Sequence, residues 1–169
     1  MPIQIHRVGP DEIALMEAVA TTFGEGFDDP ETYTGRRPSA AYLRCLLAGE
    51  TFMAFAALDG SAVVGAIAAY ELPKFEQERS EVYIYDLAVL ATHRRQGVAT
   101  ALIEAVRTEA VRRGAWVIFV QADTGVEDAP AIALYTRLGR REEVLHFDIP
   151  VTGADGRPDH PPTRPRWDS

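Results

Sequence analysis

Tyr83-Ile84-Tyr85-Asp86-Leu87-Ala88-Val89-Leu90-Ala91-Thr92-His93-Arg94-Arg95-Gln96-Gly97-Val98-Ala99-Thr100 is the stretch on which the fold turns. Its first half is apolar and aromatic and reads as a long strand running from Glu81 to Leu90. A short polar loop follows. A helix then spans 97–112, with Ala99, Leu102, Ile103, Val106 and Ala110 as its apolar stripe and Gly114 as its stop. Such a turn suits an anion, because the first amide N–H groups of a helix lack internal partners and its dipole adds partial positive charge there. Gly97 and Ala99 lack bulk, so a pyrophosphate can approach the backbone. Arg94, Arg95 and Gln96 supply further donors. On residue chemistry alone this is a phosphate-binding turn, and an ordinary helix start is about as good a reading. The glycine–lysine–serine or threonine end of a Walker loop is missing, as is the three-glycine dinucleotide fingerprint.

Working outward, Thr51 to Leu58 and Ala62 to Leu72 read as two strands joined by the hairpin pair Asp59-Gly60, with Pro73 ending the second. Further upstream, Ile3 to Val8 is a first strand. Pro10-Asp11 opens a helix that presents Ile13, Met16, Val19, Ala20 and Phe23 on one face. Gly24 to Pro38 reads as a loop. Ser39 caps a second helix reaching about Leu47, with Gly49 as its stop. Downstream, Trp116 to Gln121 is a short apolar run, expected to be a buried strand. Asp128-Ala129-Pro130 starts a helix to Leu138, and Arg141 to Ile149 is a final strand. The order predicts an α/β (α+β) fold, a mixed central sheet with a strand–helix–strand crossover and flanking helices. Residues 1–149 form this domain. Residues 150–169, with five prolines and two glycines, form a separate tail that cannot build regular structure.

A chain of 169 residues suits one domain with a proper core. The formal net charge of −8 argues against a nucleic-acid partner and permits a cationic ligand. No apolar run approaches a membrane span, and the N-terminus lacks the parts of a signal peptide, so a cytoplasmic location is expected. The one cysteine, Cys45, excludes an internal disulfide and reads as a small core residue. His6, His93, His146 and His160 lack paired ligand spacing, so no metal is expected.

Arg94-Arg95-Gln96-Gly97-Val98-Ala99 after Leu87-Ala88-Val89 resembles the acyl-CoA signature of the GNAT superfamily of N-acetyltransferases. Ala131-Ile132-Ala133-Leu134-Tyr135 with Leu138-Gly139 resembles that family's late helix and its tyrosine. The resemblance spans roughly residues 3 to 149. It implies the GNAT fold with parallel strands that splay, and acetyl-CoA as co-substrate. The cofactor would lie along Leu87, Ala88 and Val89, with Arg94, Arg95, Gln96, Gly97, Val98, Ala99 and Thr100 around its phosphates. It implies Tyr135 as the acid that protonates the departing thiolate; without the resemblance Tyr135 reads as a core aromatic. Where many relatives carry an asparagine, this chain has Asp128, read as a helix cap. The resemblance allows a homodimer, though no residue marks one.

Leu72-Pro73-Lys74-Phe75-Glu76-Gln77, Arg79 through Val89, Val120-Gln121-Ala122-Asp123 and Arg141 through Ile149 look like the aminoglycoside 3-N-acetyltransferases that act on gentamicin-type antibiotics. That resemblance implies a polycationic small-molecule substrate, held by carboxylates. Candidates are Asp28, Asp29, Glu81, Asp86, Asp123, Glu142, Glu143 and Asp148. For most of them, taken singly, a solvated surface acid is the ordinary reading. Asp86 differs: an ionisable group inside an apolar strand needs a partner or a task. It is the candidate general base, with Glu81 in reserve. Two other readings stay open, a GNAT enzyme acting on a polyamine, small metabolite or protein lysine, and a non-catalytic acyl-CoA-binding module.

Overall fold

The computed structural model describes residues 2–149; the tail at 150–169 lies outside the described residues. β1 (Gln4–Arg7) leads to α1 (Ile13–Gly26), α2 (Pro30–Thr34) and α3 (Ala40–Ala48). β2 (Phe52–Asp59) and β3 (Ala62–Pro73) form the expected hairpin, with Gly60 taking the positive φ of 61° that its turn requires. β4 (Ser80–Val89), α4 (Val98–Arg113) and β5 (Ala115–Val120) make the crossover, and α5 (Ala129–Leu138) follows. The described residues divide into two compact units, 2–121 and 122–149.

The first unit holds a five-stranded sheet in the order β1-β2-β3-β4-β5, antiparallel except for the parallel pair β4–β5. One face carries Phe52, Ala54 and Ala56 of β2, Ala66 and Ala68 of β3 and Ala88 of β4. These small residues let α1 and α3 lie close, and Val19, Phe23, Leu43 and Leu47 fill the space between. By alternation the opposite face presents Met53, Phe55, Ile67, Val82 and Ile84, all buried. α4 packs on the sheet through Val98, Leu102, Ile103, Val106 and Ala110. Its outer end is tied down by buried Glu109, whose Oε1 accepts from Arg7 (3.0 Å), Arg112 (2.6 Å) and Arg113 (2.7 Å). Arg113 also pairs with Glu71 at 2.6 Å.

Several expectations are corrected. α1 starts at Ile13 rather than at Pro10, because the Glu12 side chain turns back to accept from Gly9 N (2.7 Å) and meets His6 Nε2 (2.9 Å). Gly24 to Pro38 is not all loop: Asp29 Oδ1 accepts from Thr32 N at 3.2 Å and Pro30 occupies the first turn, which together build α2. Cys45 is exposed, because α3 turns Leu43 and Leu47 to the core and leaves Cys45 outside. Among the described residues β5 is an edge strand paired with β4 alone, and Trp116 is 67% and Val117 48% exposed. No strand forms over 141–149: alternation does not suffice without a ladder partner, and Val144, Leu145, Phe147 and Ile149 stand exposed. Asp128 occupies the N-cap position of α5 but makes no side-chain capping bond.

Candidate active site

Asp86 owes its orientation to an irregularity in β4. The β3–β4 register pairs Ala69 with Ile84 but Ala68 with Asp86, so Tyr85 is an extra residue on β4. Without it, Asp86 would share the face of Val82 and Ile84. The bulge shifts the alternation by one and turns Asp86 to the side covered by α1 and α3. There it meets α2: Tyr33 Oη donates to Asp86 Oδ1 at 2.8 Å. Burial pushes the Asp86 carboxyl above its ordinary range, and the Tyr33 bond pulls it partly back. Among the described residues Oδ2 has no hydrogen-bond partner, and it is not among the buried unpartnered atoms, so it is open to solvent.

Asp86 lines a cleft of about 310 Å³ with walls from α1 (Met16, Phe23), α2 (Tyr33), α3 (Tyr42, Leu43), β2 (Phe52), β3 (Ala68, Tyr70) and β4 (Tyr85). Phe23, Phe27 and Tyr33 pack ring against ring, with Tyr33 5.7 Å from each of the other two. Tyr70 meets Tyr85 edge-on at 5.8 Å. Burial raises the pKa of both Tyr33 and Tyr70, and the nearby Asp86 charge adds to it, so both hydroxyls stay protonated. A largely apolar, aromatic trough into which the Asp86 carboxylate opens, with Glu17, Arg36 and Arg37 also lining it, suits an amine carried on a ring or chain. Arg37, also on the rim, is turned away to Glu17 O and Thr21 Oγ1.

Next to Asp86 the sheet opens. β5 pairs with β4 only as far as Ile84–Val120, so among the described residues one edge of β4 has no strand partner from Tyr85 to Val89. Leu90 N donates towards β3, to Val64 O, so by alternation the backbone groups of Leu87 and Val89 point to the open side. Arg94 uses one of them: its Nε donates to Val89 O at 2.9 Å, and Nη2 reaches Gly26 O at 3.5 Å. The chain then turns into α4 through two left-handed residues, Arg95 (φ 61°) and Gly97 (φ 84°). A Cβ at Gly97 would meet nothing within 4 Å, so the backbone conformation, not crowding, calls for glycine. The N–H groups of Val98, Ala99 and Thr100 lie in the first turn of α4, and the first bond that closes this turn is from Ala101 N to Gly97 O. Gln96 Nε2 is committed to Thr92 O.

The remaining candidates are dispersed. Glu81 lies towards the far end of β4, within 3.8 Å of both Lys74 and Arg79, and is not brought to Asp86. Asp28 is exposed, and Asp29 is engaged as the α2 cap. Asp123, Glu142, Glu143, Asp148 and Tyr135 belong to the second unit. There Glu142 pairs with Arg140 (2.9 Å) and Asp148 with His146 (3.0 Å). On α5, burial, together with Asp128, pushes the Tyr135 hydroxyl up to about 12, so it is protonated at neutral pH. Sequence reasoning missed Tyr33, Tyr70 and Tyr85. Asp29-Pro30-Glu31, a cap residue, a first-turn proline and an acid, was the available signal for the helix that carries Tyr33. The bulge left no signal.

The acetyltransferase (GNAT) family model matches residues 14–139. Among solved structures, an aminoglycoside acetyltransferase from an uncultured soil metagenomic sample is 62% identical, with a TM-score of 0.89 over 90% of this chain and 100% of that one. A second soil metagenomic aminoglycoside acetyltransferase, solved in complex with sisomicin, is 28% identical, with a TM-score of 0.79 over 89% of this chain and 97% of that one. An aminoglycoside N-acetyltransferase in complex with CoA shares the fold, at 18% identity and a TM-score of 0.66 over 88% of this chain and 95% of that one. No curated protein matches by sequence.

Proposed function

The chain belongs to the GNAT acetyltransferase family, whose members use acetyl-CoA, and on that premise we propose that it acetylates the 3-amino group of a gentamicin-type aminoglycoside. The observation that carries the reading is the position of Asp86, an exposed carboxylate oxygen in an aromatic cleft beside the unpaired half of β4. The likeness to a 62% identical aminoglycoside acetyltransferase supports the substrate class. The 3-amino position rests on the sequence resemblance.

Acetyl-CoA supplies an acetyl group activated as a thioester. The chain fits it: the open backbone groups of Leu87 and the Val89 N–H offer a strand edge to an extended amide-bearing arm, and the opening turn of α4 offers N–H groups to phosphates. Arg94, Arg95, Gln96, Gly97, Val98, Ala99 and Thr100 are the proposed phosphate shell, and Ala88 gives the strand a small residue under α1. Asp86 Oδ2 accepts a proton from the substrate ammonium, freeing the amine lone pair. The Leu87 N–H stabilises the negative charge that develops on the attacked carbonyl oxygen. The resemblance gives Tyr135, whose hydroxyl is kept protonated, the role of proton donor to the departing thiolate.

Asp86 binds the reacting amine; of the other acids that the resemblance offers for the remaining ammonium groups, Asp28 is exposed, Asp29 and Glu81 are engaged elsewhere, and Asp123, Glu142, Glu143 and Asp148 belong to the second unit. The test is thiol release from acetyl-CoA with gentamicin, spermidine and a lysine peptide as acceptors. Turnover with gentamicin at least tenfold above both others supports the reading; preference for spermidine or the peptide refutes it.

A further inference from the structure

From the geometry around Asp86 we infer that Tyr33 is a positioning residue of the transfer reaction: its hydroxyl occupies Asp86 Oδ1, so that Oδ2 alone exchanges protons with the substrate amine. The inference rests on Asp86 acting as the base and adds the residue that aims it.

Three observations meet here. The bond from Tyr33 Oη to Oδ1 is 2.8 Å long and joins α2 to β4, elements far apart in the chain. The Tyr33 ring has little freedom, because Phe23 of α1 and Phe27 just after that helix pack against it and stack on each other at 6.0 Å. The helix that carries it is also braced. Asp29 caps it, Asp29 N donates to Gly24 O at 2.9 Å, and a Cβ on Gly24 would come within 3.2 Å of the Pro30 Cα. A five-residue helix would have little stability alone. Here it is anchored at both ends of the contact, and its aromatic side chain reaches the one carboxylate that the β4 bulge turns inward.

The chemistry follows from which atom owns the proton. Tyr33 is buried beside a carboxylate, and both effects hold its proton on the phenol. It is therefore the donor and Oδ1 the acceptor in every protonation state of Asp86. A proton taken from substrate must reside on Oδ2, the oxygen open to solvent. The hydrogen bond also favours the ionised carboxylate, opposing burial, and so keeps a base available. The other titratable or charged groups that line this cleft are Glu17 of α1, Arg36 and Arg37 after α2, Tyr42 of α3, Tyr70 of β3 and Tyr85 of β4. None of them has a hydrogen bond to Asp86 among the described residues.

The experiment compares pH profiles of kcat/KM, with gentamicin as acceptor, for the wild type, Tyr33→Phe and protein carrying a fluorinated tyrosine at position 33, with Asp86→Asn alongside. Phe keeps the ring between Phe23 and Phe27 and removes only the hydroxyl. The acidic limb is expected to move up by roughly one pH unit, with kcat lowered about tenfold and KM for acetyl-CoA within about twofold. The more acidic fluorotyrosine is a stronger donor and should move the limb down. It keeps the bond, so it answers the question even if Tyr33→Phe folds poorly. Limbs that stay in place in both variants, while Asp86→Asn is inactive, overturn the role of Tyr33 and leave Asp86 as base. Wild-type turnover in Asp86→Asn overturns both.

Discussion

A Cβ placed on Gly26 would lie 2.6 Å from the Cβ of Ala88, so the last residue of α1 rests directly on the unpaired half of β4. The Gly26 carbonyl also faces Arg94, which holds Val89 O with its other nitrogen. One contact therefore joins the end of α1, the open strand edge and the turn into α4. Gly26→Ala forces α1 away from β4 and is expected to cost about 1–3 kcal/mol. A lower thermal midpoint, together with weaker acetyl-CoA binding by calorimetry, is the expected result. A midpoint equal to that of the wild type would show that the helix end yields without cost.

Asp86→Asn separates activity from stability. Removal of the base should reduce kcat about 10²- to 10⁴-fold while acetyl-CoA affinity stays within about twofold. The carboxyl is held above its ordinary pKa by burial, so the folded state favours its protonated form. Its stabilising contribution is complete below the unfolded pKa and is lost as pH rises through the folded one. At neutral pH the ionised group is a burden, and asparagine, still able to accept from Tyr33, should leave the thermal midpoint unchanged or raise it. For the wild type the same shift sets kcat/KM to fall, on acidification, at a pH above the usual carboxylate range.

Tyr135→Phe should lower turnover less than Asp86→Asn, by about tenfold, because water can also protonate a thiolate. Single-turnover kinetics with gentamicin measure this. A loss as large as that of Asp86→Asn would give Tyr135 a larger role than proton donation at the end of the reaction.

Glu109→Gln tests the ion cluster on α4. The bonds from Arg112, with those from Arg113 and the charge of Arg7, hold the Glu109 carboxyl down at about 2, against an ordinary 4.5. A depressed acid stabilises the fold above its unfolded pKa and ceases to do so as pH falls through its folded pKa. Solvent screens a cluster whose Arg7 and Arg112 are largely exposed, so chemical denaturation at neutral pH should show a loss of about 1–2 kcal/mol in the variant. The two proteins should converge as pH falls from about 4.5 towards 2, the window set by that shift.

Much of the fold was legible in the sequence because punctuation and periodicity agreed. Asp59-Gly60 marked the hairpin, Ser39 and Gly49 bounded α3, and Gly97 and Gly114 framed α4. Asp86 could be picked out as an acid in an apolar strand, but not where it points. Simple alternation puts it with Val82 and Ile84 on the side of the sheet away from the cleft, and the extra residue at Tyr85 that reverses this depends on pairing with β3. Tyr33 was hidden for a related reason: a single helical turn has little intrinsic stability, and α2 owes its existence to packing against α1. At 141–149 the error ran the other way, since a strand-like pattern did not supply a partner strand.

The central claim is tested most directly by incubating the protein with acetyl-CoA and gentamicin and analysing the antibiotic by mass spectrometry and two-dimensional NMR. A product carrying a single added acetyl group, bonded to the nitrogen at position 3, is the predicted result. Gentamicin recovered unmodified, under conditions in which the protein demonstrably binds acetyl-CoA, would contradict it.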